Sequence, residues 1–124
     1  MDALIIKKKW LDLILNDYKI WEIRSSDTKK RGRIALIESG SKQIKGACDL
    51  VQSFPFTKDL QDELTNYYKH WLTEHQLYHM QYKRPHVWVL NNIQIFDEPI
   101  GYKHPQGAVI WVKDITKRIL NKNK

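Results

Sequence analysis

The chain is divided into short apolar segments separated by turn-forming residues, and this division strongly limits what it can fold into. Six segments of four to twelve residues have the composition or alternation of strands. They are residues 3–6, 18–25, 33–39, 43–54, 86–90 and 107–113, with Gly46 a candidate bulge inside the fourth. The sequence therefore predicts six short strands.

Only two segments have helical spacing. In residues 8–17, apolar side chains recur at Trp10, Leu11, Ile14 and Leu15. The second prediction is one long helix over residues 58–76, with Thr57 as its N-cap. Six strands and two helices predict an α+β fold, a small β-barrel with helices outside it.

The length of 124 residues and the absence of a linker or repeat predict one domain over residues 1–124. Residues 114–124 would form a basic C-terminal tail. The formal net charge is +7, and it lies at the two ends, because residues 34–84 carry equal numbers of basic and acidic side chains. A basic surface attracts nucleic acid, although lysines that only keep the protein in solution would give the same charge.

Several function classes have no support. Cys48 is the only cysteine, which excludes an internal disulfide and a cysteine-cluster zinc site, and we expect it to be a small buried hydrophobe. His75 and His79 have helical metal-pair spacing, but no Glu follows His75, so we expect no metal or other cofactor. No apolar run is long enough to span a membrane, and we expect a cytoplasmic protein.

The stretch YKIWEIRSS, residues 18–26, mixes charges with apolar residues. Alternation places Glu22 and Arg24 on one face of the strand and Trp21 and Ile23 on the other. Lys19 lies at the start of the strand, where alternation does not fix its direction. The segment is therefore either a solvated edge or the wall of a site.

The residues before this strand bring three lysines, Lys7, Lys8 and Lys9, beside Trp10. Lysines hold phosphates and aromatic rings stack on bases, so the patch suits single-stranded RNA. The alternative is that Trp10 only anchors the helix in the core while the lysines are solvated.

Residues 7–33 resemble the opening of the ASCH (activating signal cointegrator homology) domain family, whose pattern is Ile-Lys-x-Pro-Trp, a helix, Gly-x-Lys-Thr-x-Glu-x-Arg and then Arg-Gly. The matching positions are Lys7, Trp10, Lys19, Glu22, Arg24, Arg31, Gly32 and Arg33. Later segments extend the resemblance over about residues 3–113. Lys9 stands where the motif has Pro, and Ile20 where it has Thr.

The resemblance implies a PUA-like β-barrel of about six strands, with one helix at its mouth and a second, longer helix. It also implies an RNA-binding cleft for single-stranded RNA or a nucleotide. The residues expected to contact nucleic acid are Lys7, Lys8, Lys9, Trp10, Lys29, Lys30, Arg31, Arg33 and Tyr102.

Some ASCH relatives are enzymes, so the resemblance also implies an alternative on the same cleft. Lys19, Glu22 and Arg24 would be the catalytic residues of a metal-independent ribonuclease, with Glu22 as the base. Another branch removes acyl groups from a modified cytidine and uses a Thr where this chain has Glu22. A nucleoside amidohydrolase of that kind would need a different hydroxyl here, from Ser25, Ser39 or Ser53.

Overall fold

A computed structural model describes residues 1–120 and contains a strand at each of the six predicted places. The fifth strand is longer than predicted and extends to Gly101, and the sixth is shorter and has only two residues. The strands are β1 (Ala3–Ile6), β2 (Trp21–Arg24), β3 (Gly32–Glu38), β4 (Gln43–Pro55), β5 (His86–Gly101) and β6 (Trp111–Val112). The helices are α1 (Lys8–Leu15), α2 (Lys58–Asp62), α3 (Tyr67–His70) and α4 (Glu74–Tyr78), with 3-10 turns at Leu64–Asn66 and Ile115–Arg118. Within the described residues, no helix has the length and apolarity needed to cross a membrane.

The strands form one curled sheet in the order β2-β5-β4-β3-β1-β6. The β1 strand pairs in parallel with β3, and every other pairing is antiparallel. The result is a half-barrel in a small α+β protein, which confirms the predicted fold class. Because β2 and β6 are the two edges of this sheet, the charged segment of β2 lies at an edge of the half-barrel.

The register between β4 and β5 shifts next to Gly46. A Cβ atom built on Gly46 would lie 2.4 Å from the carbonyl oxygen of Gln94 and 2.6 Å from the side chain of Leu15. Glycine therefore lets β5 and α1 approach β4 closely. The bulge predicted at this residue is confirmed.

The helix α1 lies against the inner face of the sheet. Leu11 and Ile14 are fully buried in the cluster that includes Leu4, Ile6 and Trp88. The carbonyl of Leu13 then accepts hydrogen bonds from the backbone N–H groups of Tyr18 and Lys19. These hydrogen bonds to the end of α1 thus fix the backbone position of Lys19.

The prediction of one helix over residues 58–76 is wrong, although Thr57 does cap α2 by accepting a hydrogen bond from the N–H of Leu60. The backbone is extended at Glu63 and left-handed at Trp71, with φ of 61°. The indole Nε1 of Trp71 donates to the carbonyl of Tyr18 over 2.9 Å. This contact, distant in sequence, stabilises the corner, and a capping box at Thr73 then starts α4.

Part of the predicted basic tail is packed against the protein. Ile115 is buried in a second cluster with Ala3, Ile5 and Ile37, and its N–H donates to the carbonyl of Met1. The 3-10 turn Ile115–Arg118 follows. Residues 121–124 of the predicted tail lie outside the described residues.

Candidate functional site

The strand β2 separates its charged and apolar side chains as its alternation predicts. Trp21 and Ile23 are buried with Phe56 and Val87, on the side covered by α2–α4. Glu22 is paired across the ladder with Trp88, which belongs to the inner core beneath α1. Glu22 and Arg24 therefore face the interior of the half-barrel.

Lys19 is almost completely buried, with 1% of its surface exposed. Its Nζ donates to the carbonyls of Trp21 at 2.6 Å and of His70 at 2.5 Å. The same Nζ lies 3.7 Å from Oε1 of Glu22 and 5.0 Å from the centroid of the Trp10 ring. Burial lowers the pKa of Lys19 to about 8, although the nearby Glu22 carboxylate opposes this shift.

Arg24 completes the charged group from the other side of Glu22. Its Nε donates to Oε2 of Glu22 over 2.9 Å, and its Nη2 donates to the carbonyl of Ile5 over 2.9 Å. The guanidinium carbon lies 5.6 Å from the centroid of the Trp88 ring. Glu22, itself only 5% exposed, is thus held between two cations.

These residues line a cavity of about 440 Å³. Three cationic side chains, Lys7, Lys19 and Arg24, face it together with one carboxylate, Glu22. Trp10 of α1 forms part of the same lining. We call this cavity the cleft, and its charged wall carries a net positive charge.

The other wall of the cleft was not foreseen from the sequence. It comes from the residues between α3 and α4, from α4 and the residues that follow it, and from the loop before β6; its members are Leu72, Gln76, Met80, Gln81, Tyr82 and Val109. Reading residues 58–76 as one helix concealed this arrangement. The only local signal was Tyr82, an aromatic residue in an otherwise polar segment.

Of the three lysines before and within α1, Lys7 lines the cleft, and Lys8 and Lys9 do not. Lys7 lines the cavity and is exposed. Lys8 forms an exposed ion pair with Asp12 at 2.6 Å. The Nζ of Lys9 lies 4.8 Å from the centroid of the half-buried Trp10 ring.

The cations of the loop after β2, and Arg33 near the start of β3, do not line the cleft. Lys29 is exposed, and Lys30 pairs with Asp2. Arg31 donates to backbone carbonyls of its own loop. Arg33 donates to the side chain of Asp49 and to a backbone carbonyl of the β5 strand.

Tyr102 was expected to stack on a base, but its position in the structure prevents this. Only 2% of its surface is exposed, and it packs in the cluster of Ala3 and Ile115. Its hydroxyl lies 2.7 Å from Nδ1 of His104. The ring offers no face to a ligand, because the protein covers it.

The other groups considered for chemistry are Cys48, possible metal ligands and the three candidate serine hydroxyls. Cys48 is fully buried, as expected, and burial raises its pKa to about 12. In residues 1–120, no group of three His, Cys, Asp or Glu side chains could hold a metal ion. Among the candidate hydroxyls, Ser39 lines the cleft, Ser25 does not, and Ser53 donates to Asp27 over 2.5 Å.

A curled mixed sheet with a helix across its inner face and a charged cleft beside that helix defines a small PUA-like domain. Within this class, the chain belongs to the ASCH domain family, because the model of that family matches residues 4–100. The family resemblance of residues 7–33 is thus confirmed.

Solved structures of the same family have a similar fold. The crystal structure of ASCH from Zymomonas mobilis has 17% identity and a TM-score of 0.68, and the match covers 94% of this chain and 90% of that chain. A single-residue mutant of that protein has 17% identity and a TM-score of 0.65, and the match covers 94% of this chain and 93% of the mutant chain. At this identity, the likeness concerns the fold alone. No curated protein matches the sequence significantly.

Proposed function

We propose that this protein binds single-stranded RNA or a nucleotide, with one nucleotide unit entering the cleft. The observation that carries the proposal is the charge of the cavity, where Lys7, Lys19 and Arg24 face the single carboxylate of Glu22. An excess of cations attracts phosphate. The volume of about 440 Å³ lies within the range of roughly 300–1,000 Å³ that small-ligand sites have.

The lining also suggests how such a ligand would lie. The exposed Lys7 would hold a phosphate at the mouth, and Lys8 and Lys9 would hold its neighbours. A base would stack on the half-buried ring of Trp10 or on the exposed Tyr82 of the opposite wall. In a longer RNA, Lys29, Lys30, Arg31 and Arg33 would contact phosphates outside the cleft.

Fluorescence anisotropy with a labelled oligouridine tests this proposal. The logarithm of the affinity should fall linearly with the logarithm of the salt concentration, with a slope of about −0.7 for each neutralised phosphate. Lys7→Gln should weaken binding and reduce the magnitude of the slope by about 0.7, because one phosphate contact is lost. Lys103→Gln is the matched control, because Lys103 is exposed and does not line the cleft. Salt-independent binding, or equal effects of the two variants, would contradict the proposal.

A second candidate function, metal-independent RNA cleavage, is favoured by the 3.7 Å between Lys19 Nζ and Glu22 Oε1. Glu22 would take the proton of a ribose 2′-hydroxyl, and the 2′-oxygen would attack phosphorus to form a 2′,3′-cyclic phosphate. The bond from phosphorus to the 5′-oxygen would break, and Lys19 would give that oxygen a proton. Proton transfer from Glu22 to Lys19 would restore both groups. Arg24 would stabilise the charge on the phosphate.

End-labelled single-stranded RNA, incubated with chelator and separated on a denaturing gel, distinguishes the two functions. An enzyme should leave fragments that end in 2′,3′-cyclic phosphate, and Glu22→Gln should abolish cleavage while RNA binding persists. Contaminating nuclease would cleave equally in both preparations. If both proteins leave the RNA intact while binding it, ribonuclease activity is excluded and the binding function stands.

A further inference from the structure

A second cavity, of about 570 Å³, lies among α2, α3 and α4. Its charged lining consists of Asp62, Glu63 and Glu74 against one cation, Lys58. Lys58 already pairs with Asp62 at 2.7 Å. The cavity therefore has an acidic rim in a protein whose formal net charge is +7. Such a rim repels phosphate and attracts cations.

His70 provides a polar group at the base of this cavity. Its residue surface is only 1% exposed, and its Nδ1 accepts a hydrogen bond from the N–H of Leu72 over 2.8 Å. Burial, with a smaller contribution from Lys19, lowers the pKa of His70 to about 4. The ring is therefore neutral at pH 7, and its single proton must be on Nε2.

The Nε2 group of His70 has no hydrogen-bond partner among residues 1–120. In the same part of the chain, no buried side-chain nitrogen or oxygen lacks a partner. Nε2 therefore cannot be sealed inside the protein. His70 lines the second cavity and does not line the cleft, so the second cavity is the space in which its Nε2–H group could meet an acceptor.

We propose that this cavity is a second binding site, which takes a small organic cation with an apolar body and a hydrogen-bond acceptor at its far end. The ammonium group would lie at the rim, near Glu63 and Glu74. The apolar body would contact Leu77 and the ring of Tyr67, both of which line the cavity. The acceptor would receive the proton of His70 Nε2.

The two cavities are neighbours with opposite charge. Leu72 lines both of them. The carbonyl of His70 accepts a hydrogen bond from Lys19 of the cleft, while the same residue lines the second cavity. The proposed cation site does not depend on RNA binding, because it uses none of the cleft's charged side chains.

Tyramine is a suitable probe, because it has an ammonium group, an aromatic body and a hydroxyl at the far end. In proton–nitrogen correlation spectra of the full chain, tyramine should cause saturable shifts at the amides of Leu72, Thr73 and Leu77. The compound 3-(4-hydroxyphenyl)propanoate has the same ring and hydroxyl but a carboxylate. It should cause no saturable shift at these amides.

The double variant Glu63→Gln, Glu74→Gln should weaken tyramine binding by about fivefold. The double variant Asp97→Asn, Glu98→Gln makes the same charge change at exposed positions outside the cavity and should leave binding unchanged. Dispersed spectra of both variants establish that they fold. The proposal is overturned if tyramine gives no saturable shift, if its shifts cluster elsewhere, if the carboxylate binds equally, or if the two double variants behave alike.

Discussion

Arg24 donates a hydrogen bond from Nε to Oε2 of Glu22 over 2.9 Å, and the two residues lie two positions apart on the inner face of β2. Because residues two positions apart in a strand lie on the same face, the geometry of β2 alone brings the two side chains together. Lys19 approaches the other carboxylate oxygen at 3.7 Å. One buried carboxylate therefore compensates two cations, and its removal should leave both without a counter-charge.

Glu22→Gln should lower the free energy of unfolding by about 1–3 kcal/mol, because it leaves the buried Lys19 and Arg24 without their anion. Asp12→Asn removes the partner of Lys8 in an exposed pair and should cost less than about 1 kcal/mol. Urea unfolding measures both values. Equal losses would mean that the Glu22 pair contributes no more than a surface ion pair.

Lys19 should lose its proton near pH 8, well below the ordinary lysine value of 10.5. Nuclear magnetic resonance of the lysine ¹³Cε groups follows this titration, and Lys19→Arg assigns the signal by removing it. In Glu22→Gln the midpoint should fall further, because the carboxylate is what favours the charged form. A midpoint above pH 10 would show that water reaches the ammonium group.

The stability of the protein should fall in acid through His70. Its pKa is about 4 in the folded protein against 6.5 for an unperturbed histidine, so the unfolded state binds more protons between these values. The contribution is complete above about pH 6.5 and is lost as the pH falls toward 4, by roughly 3 kcal/mol in total.

Urea unfolding over this pH range measures the effect of His70. In His70→Asn, the side-chain oxygen can still accept from the N–H of Leu72, but the group does not titrate. Its stability should therefore depend less on pH than that of the native protein. Parallel curves for the two proteins would mean that His70 does not contribute.

Gly46→Ala should destabilise the fold by about 3 kcal/mol, because the new methyl group would overlap a backbone oxygen of β5 and the side chain of Leu15. Gly40→Ala tests backbone conformation alone, since Gly40 has φ of 81° and open space around it. That change should cost about 1 kcal/mol. Thermal and urea unfolding compare the two, and a larger loss at Gly40 would contradict the packing explanation.

The sequence alone predicted the features that depend on neighbouring residues. Six strands, the bulge at Gly46 and the shared face of Glu22 and Arg24 follow from alternation and from the small size of glycine. The order of the motif residues also identified the family. Such features are local, so a single segment contains the information that determines them.

Other features depend on contacts between distant segments. The direction of Lys19 is set by the carbonyl of His70, and the corner at Trp71 by the carbonyl of Tyr18. Neither contact leaves a periodic pattern in the sequence. For the same reason, residues 58–76 look like one helix, and Tyr102 looks exposed because only the tertiary structure shows what covers it.

The sequence by itself thus determined the strands, the family and the charged face of β2. Only the tertiary structure decided which cations meet in one cleft, and that the acidic residues of α2 and α4 surround a second cavity. The physical reason for this division is that alternation along a strand determines only the face on which a side chain lies. The groups that meet that face come from distant parts of the chain, as His70 does for Lys19 and Trp88 does for Glu22.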